Sequence, residues 1–98
     1  MSSARDVIHQ PVRLKILASL NASRGKPLEF SRLKAITETT NGNLGSHLAS
    51  LETAGYVKLE KIIEANRPRT NAYLTPAGRK AFQEHLIFLR DIIDTAGT

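Results

Sequence analysis

Apolar residues recur along this chain in helical stripes, switch to alternation near the middle, and then return to a helical stripe. Val12, Ile16 and Leu20 stand four apart with Leu17 beside them, which predicts one buried helical face over residues 10–22. Pro11 fits the first turn of that helix, where a missing N–H breaks no hydrogen bond. Ser23-Arg24-Gly25-Lys26-Pro27 ends the segment. Phe30, Leu33 and Ile36, spaced by three, predict a second short helix, and Glu38-Thr39-Thr40 a turn of weak helix formers. Leu44, Leu48 and Leu51 predict a third helix over about 41–54, with Thr39 or Thr40 as N-cap and Gly55 as a left-handed C-cap. Asn41-Gly42 is also a hairpin signal, but the leucine spacing outweighs it.

After Gly55 the period falls to two. Tyr56 to Ile63 predicts a strand, residues 64–68 a loop, and Thr70 to Leu74 a returning strand. Thr75-Pro76 sets an N-cap beside a proline at the first helical position and opens a helix reaching about Asp94. The order is helix, helix, helix, hairpin, helix. That is a mainly α fold with a small β-hairpin wing, a winged helix-turn-helix. At 98 residues the chain is expected to form one domain over 1–98, with 75–95 as its C-terminal helix.

Composition mainly excludes. There are no cysteines, so disulfides, thiolate metal sites and cysteine nucleophiles are ruled out. The longest apolar runs, such as Leu86-Ile87-Phe88-Leu89, are far short of the about 20 residues a membrane helix needs. The N-terminal residues lead into no apolar stretch typical of a secretory signal, so the expected compartment is the cytoplasm.

Charge is more informative. Fourteen Lys and Arg face nine Asp and Glu, a net +5. The excess lies within the first 74 residues, while residues 75–98 balance three bases against three acids. A basic domain points to a polyanionic partner. On the third helix the leucines face inward and leave Gly42, Ser46, Ala49, Ser50 and Thr53 outward, with Asn43 and His47 on the flanks. Small residues allow close approach to a groove floor, asparagine can bond adenine bidentately, and helix N-terminal N–H groups can hold a phosphate. Thr40, Asn41, Asn43, Ser46, His47 and Ser50 are therefore the candidate DNA contacts of this helix. His47, at the core edge, also reads as a hydrogen-bonded packing residue, which its position favours. On the hairpin, Lys58, Lys61, Asn66, Arg67 and Arg69 are the candidates, with the two arginines expected at a tip over 64–70 stiffened by Pro68. Arg32 and Lys34 on the second helix could touch phosphates.

These residues resemble a known group. Asn41-Gly42-Asn43-Leu44-Gly45-Ser46-His47-Leu48, then Leu51-Glu52-Thr53-Ala54-Gly55-Tyr56-Val57, is similar to the winged-helix transcriptional regulators related to the MarR and ArsR groups, and more narrowly to short single-domain winged helix DNA-binding proteins. Arg67-Pro68-Arg69-Thr70, Leu74-Thr75-Pro76-Ala77-Gly78-Arg79 and the opening His9-Gln10-Pro11-Val12-Arg13-Leu14-Lys15-Ile16-Leu17 extend the likeness over roughly residues 8–85. The resemblance implies sequence-specific binding of double-stranded DNA, with the third helix in the major groove and the wing at the backbone or minor groove. Two departures stand out: Gly45 replaces a serine of the pattern, and Ser46 fills a variable position that is often basic in relatives. The third helix is thus unusually uncharged, and the wing is expected to supply more of the affinity.

An enzyme is not expected. His9, His47 and His85 fall on separate elements, and no metalloprotease, Walker A or nucleophile-elbow motif occurs. No metal and no cofactor are expected, and any small-molecule effector is unknown. A winged helix used only for protein–protein contact is the other reading; the placement of basic residues on the wing and second helix favours DNA over it. Along the last helix, Phe82, Leu86, Leu89 and Ile93 form one stripe, Ala81, Phe88 and Ile92 a second. That is more apolar surface than one packed face needs. Phe82, His85, Leu86, Phe88, Leu89, Ile92 and Ile93 are therefore the expected interface of a homodimer.

Overall fold

Seven side chains make the fully buried centre: Ile16, Leu17, Leu20, Leu33, Leu44, Leu48 and Leu51. They come from three helices, so the leucine and isoleucine stripes of the sequence meet at one core. Truncating any one of these leucines to alanine would cost about 2–5 kcal/mol. The computed structural model describes residues 4–97; the outermost residues of the expected 1–98 domain lie outside that range. The elements are α1 (Ala4–His9), α2 (Pro11–Ala22), β1 (Leu28–Glu29), α3 (Phe30–Thr37), α4 (Asn41–Thr53), β2 (Val57–Glu64), β3 (Arg67–Leu74) and α5 (Pro76–Gly97). No helix among the described residues is long and apolar enough to cross a membrane.

The caps expected at Thr40, Gly55 and Thr75 are in place, and Gln10 adds one at the start of α2. Gln10 accepts from the Arg13 backbone N–H at 3.0 Å, with Pro11 at the first helical position of α2. Thr40 accepts from the Asn43 N–H at 3.1 Å and starts α4. At the other end of α4, the Tyr56 N–H donates to the Leu51 carbonyl and the Gly55 N–H to that of Glu52, both at 2.9 Å. With Gly55 at φ +84° this is a Schellman motif, which a side chain would strain. Thr75 caps α5: its Oγ1 accepts from the Gly78 N–H at 2.9 Å and donates to the Gly55 carbonyl at 2.6 Å. Gly78 lies so close to Tyr56 that a Cβ there would meet the Tyr56 carbonyl oxygen at 2.1 Å. The end of α4, the start of β2 and the start of α5 are thereby fastened at one point.

Four features differ from the sequence expectations. A helix, α1, precedes the first predicted one; it is only six residues long, too short to show a period, yet its Ile8 joins the core. The two-stranded hairpin is a three-stranded antiparallel sheet in the order β1-β3-β2, because Leu28 and Glu29 pair with Ala72 and Asn71. The loop expected over 64–68 is a two-residue turn, Ala65-Asn66, with φ of 51° and 63° as in a type I′ turn. Alanine is a poor signal for that turn, which hid it. Pro68 consequently lies inside β3. It is tolerated because β1 flanks β3 only at Asn71 and Ala72, so β3 has an open side at Pro68. Finally, α5 runs to Gly97 rather than stopping near Asp94.

A candidate nucleic-acid interface

α3 and α4 form the helix-turn-helix. Glu38 closes α3 in a left-handed conformation at φ 54°, and Thr40 opens α4 two residues on. Asn41, Gly42, Asn43, Ser46 and Ala49 are exposed along α4, and no charged side chain interrupts them. A Cβ added at Gly42 or Gly45 would meet nothing within 4 Å. Neither glycine has the positive φ seen at Gly25 and Gly55. The domain itself gives no packing reason for either one.

His47 and Ser50 are placed differently from the other candidates on α4. Both are half-buried and turned towards α2, where Arg13 Nε donates to His47 Nδ1 at 3.1 Å and Arg13 Nη2 to Ser50 Oγ at 3.4 Å. Burial first, and the Arg13 charge second, hold His47 below its ordinary pKa of 6.5. The reading of His47 as a hydrogen-bonded residue at the core edge fits this geometry. Arg13 itself was not among the sequence candidates. Its partners lie 34 and 37 residues away, and no local pattern signals such a contact.

The wing sorts its candidates by face. Residues directly opposite across the hairpin share a side of the sheet. Val57–Leu74 and Leu59–Ala72 cover the core, and the same face continues outward as Lys61–Thr70 and Ile63–Pro68. The other face carries Lys58–Tyr73, Glu60–Asn71, Ile62–Arg69 and Glu64–Arg67. Lys58 and Lys61 are thus on opposite sides. The core-side extension bears no acid, and its Ile63 is 80% exposed. Asn66 lies exposed in the turn and Arg67 exposed beside it.

Arg69 is a correction. It is not at the tip but within β3, where its Nη1 pairs with Glu29 Oε2 at 2.6 Å. Glu29 also accepts from Ser31 Oγ at 2.7 Å. That hydrogen bond, and then Arg69, lower the Glu29 pKa; Glu29 in turn raises that of Arg69. The pair ties the start of α3 to the wing, so this guanidinium is already neutralised. Of the α3 candidates, Arg32 is exposed and Lys34 half-buried.

The expected dimer residues also divide. Phe82 and His85 are 5% and 4% exposed, packed into their own domain, and so are not available to a partner. Along one stripe of α5, Gly78, Phe82 and His85 bind it to the rest of the chain. Leu86, Ile92 and Ile93 are exposed, as is Ile87, which belonged to neither sequence stripe. Leu89 and Phe88 are half-buried, the latter with its ring 5.8 Å from that of His85. A shallow apolar groove of about 340 Å³ runs along the end of α5, lined by Phe88, Asp91, Ile92, Thr95 and Ala96. The radius of gyration is 14.3 Å, against about 12.5 Å for a compact chain of this length. Among the described residues, no group of three or more His, Asp or Glu is arranged to hold a metal ion.

Comparison with known proteins gives the same architecture. The family model described as winged helix DNA-binding domain matches residues 12–93. An uncharacterized protein of Methanocaldococcus jannaschii, MJ0432, is 36% identical over 80 residues, which cover 82% of this chain and 85% of that protein. The structure of a transcriptional regulator homologue protein from Pyrococcus horikoshii OT3 superposes with a TM-score of 0.80 at 38% identity, covering 91% of this chain and 86% of that one. A putative transcriptional regulator of the MarR family from Enterococcus faecalis V583 superposes with a TM-score of 0.73 at 25% identity, covering 94% and 80%.

Proposed function

The chain belongs to the winged helix DNA-binding domain family, and from that premise we propose that it is a sequence-specific, double-stranded-DNA-binding transcriptional regulator acting as a homodimer. α4 is the recognition helix and enters the major groove, while the wing lies at the backbone or minor groove. The observation that carries this reading is the exposed face of α4. Its Gly42, Ser46 and Ala49 give an exposed surface with no bulk, the half-buried Gly45 beside them has open space where a Cβ would stand, and Asn41 and Asn43 stand ready to read base edges. The two glycines weaken the helix without serving the fold, which is what close approach of another molecule's surface would require. The Pyrococcus relative, described as a transcriptional regulator homologue, supports the same role. Binding, rather than catalysis, is the activity of this surface.

The second half of the proposal rests on α5. Leu86, Ile87, Ile92 and Ile93 are exposed apolar side chains on the far part of this helix, and apolar surface gathered in this way marks an interaction site more often than scattered single residues do. A second copy of the chain covers it in this reading. Burying two or three such side chains contributes about 1.5–3 kcal/mol each before the cost of association.

Selection of bound duplexes from a random pool tests both halves together. The expected result is a two-fold symmetric motif with half-sites about one DNA turn, 34 Å, apart. Lys61, Arg67 and Arg32 from each protomer would neutralise about six phosphates, giving a slope of log K against log salt near −5. A pool that enriches no sequence, or a slope near zero, would overturn the proposal.

A further inference from the structure

Arg13 lies outside every group of residues assigned above to DNA. It sits half-buried in the first turn of α2, and its guanidinium donates to three places on two other helices. Nη1 reaches the Val7 carbonyl of α1 at 3.2 Å, Nε reaches His47 Nδ1 of α4 at 3.1 Å, and Nη2 makes the longer 3.4 Å contact with Ser50 Oγ. His47 and Ser50 are three apart and so lie on one flank of α4. A guanidinium has donors only, so His47 Nδ1 must be unprotonated to accept, and the ring proton stays on Nε2. The planar fork has fixed directions, unlike the freely rotating lysine ammonium. It therefore specifies how far α4 is rotated about its own axis, relative to α1 and α2.

We infer that Arg13 is the positioning residue of the recognition helix: its fork registers α4 against α1 and α2, and that register holds only while His47 is neutral. The inference rests on the reading of α4 as the recognition helix. Base readout needs side chains held to within about 0.5 Å, whereas attraction to phosphates does not. Loosening the fork therefore removes discrimination between sequences and spares non-sequence-specific binding. Protonating His47 does the same, because it deletes the acceptor and sets a second cation against the guanidinium. Among the residues whose side chains are described, Arg13 is the charged group that acts on His47; α1, α3 and β2 also pack on α4. His9 of α1 is exposed.

The test measures affinity for two duplexes, the one recovered from the random pool and a scrambled one of the same composition, between about pH 5 and 8. For the wild type, the ratio of the two affinities is expected to fall about tenfold or more towards acid, equivalent to one good base-pair readout. Arg13→Gln should show that lower ratio already at neutral pH, with little change on the scrambled duplex and no further acid loss. His47→Asn places an amide oxygen near the site of Nδ1 with nothing to titrate. It should keep the ratio and remove the acid loss, while His47→Leu should lose the ratio at every pH. Equal loss on both duplexes in Arg13→Gln, or an acid loss that survives in His47→Asn, would overturn the inference. Should Arg13→Gln not fold, the two His47 variants decide alone. A wild type that discriminates between no duplexes even at neutral pH refutes the DNA-binding reading, and the inference with it.

Discussion

Replacing Gly45 with alanine should make the protein more stable and its DNA binding weaker. Gly45 lies in the first half of α4 with helical backbone, and an added Cβ would touch nothing within 4 Å. No clash therefore opposes the gain in helix propensity, which is about 0.5–1 kcal/mol for glycine to alanine inside a helix. For a domain of this size that is a rise of roughly 2–8 °C in melting temperature. The same methyl group would stand on the α4 surface proposed to approach the groove. If that surface is in van der Waals contact with DNA, overpacking costs about 1–3 kcal/mol, or roughly tenfold or more in affinity. Circular dichroism melts and fluorescence anisotropy on the selected duplex read the two effects separately. Gly78→Ala is the control, since its Cβ would fall 2.1 Å from the Tyr56 carbonyl oxygen. It should destabilise by about 3 kcal/mol or more. A Gly45→Ala protein that melts lower than wild type would refute the claim that the fold does not need this glycine. One that is more stable and binds unchanged would show that the α4 face does not approach DNA closely.

Other outcomes follow from the same geometry. Arg67→Ala and Lys61→Ala should each reduce the salt slope of binding by about one, the share of a single neutralised phosphate, while Arg69→Ala should leave that slope unchanged and lower the melting temperature, because Glu29 already neutralises Arg69. The Glu29 pKa is depressed in the folded state, so the stabilisation from this pair is present above the ordinary 4.5 and disappears as pH falls through the lowered value; melts of wild type and Arg69→Ala should converge in acid. His47 is likewise depressed, so the unfolded chain binds its proton first and wild-type stability should decline below about 6.5, a decline absent from His47→Asn. Ile92→Asp with Ile93→Asp should give a folded monomer by light scattering, since both side chains are exposed in the single chain; an unchanged dimer would place the interface elsewhere.

Much of the fold was legible because its signals are local. The leucine spacing of 44, 48 and 51, the left-handed Gly55 and the Thr75-Pro76 start each act within a few residues, and each stands where expected. What stayed hidden depends on distant partners or on weak local chemistry. Arg69 reads as a basic tip until Glu29, 40 residues earlier, is found beside it. Ala65 conceals a tight turn that glycine or asparagine would have announced. Phe82 and Leu86 share a sequence stripe, yet the first is buried and the second is not, because the packed stripe runs through Gly78, Phe82 and His85 and leaves Leu86 on its flank. The candidate site shows the same division. Ser46 is exposed as the helical wheel indicates, with Asn41 and Asn43 exposed beside it, whereas Ser50, outward on the wheel, is half-buried, and its engagement with His47 by Arg13 required the tertiary structure.

The fastening of Thr75 and Gly78 to Gly55 and Tyr56 turns α5 into a lever with a stiff pivot. Its root is clamped where α4 ends and again where Phe82 and His85 pack on the core, and residues 86–97 extend about 18 Å beyond that hold. At such a radius a change of about 10° in the direction of the root carries the far end through roughly 3 Å, close to the rise of one base pair. In a dimer joined at the far ends, the angle at this joint is then a ruler for the distance between the two α4 helices. Substitutions at Thr75 or Gly78, remote from every base, would re-space the operator half-sites that the dimer can bridge while leaving the sequence read within each half-site unchanged.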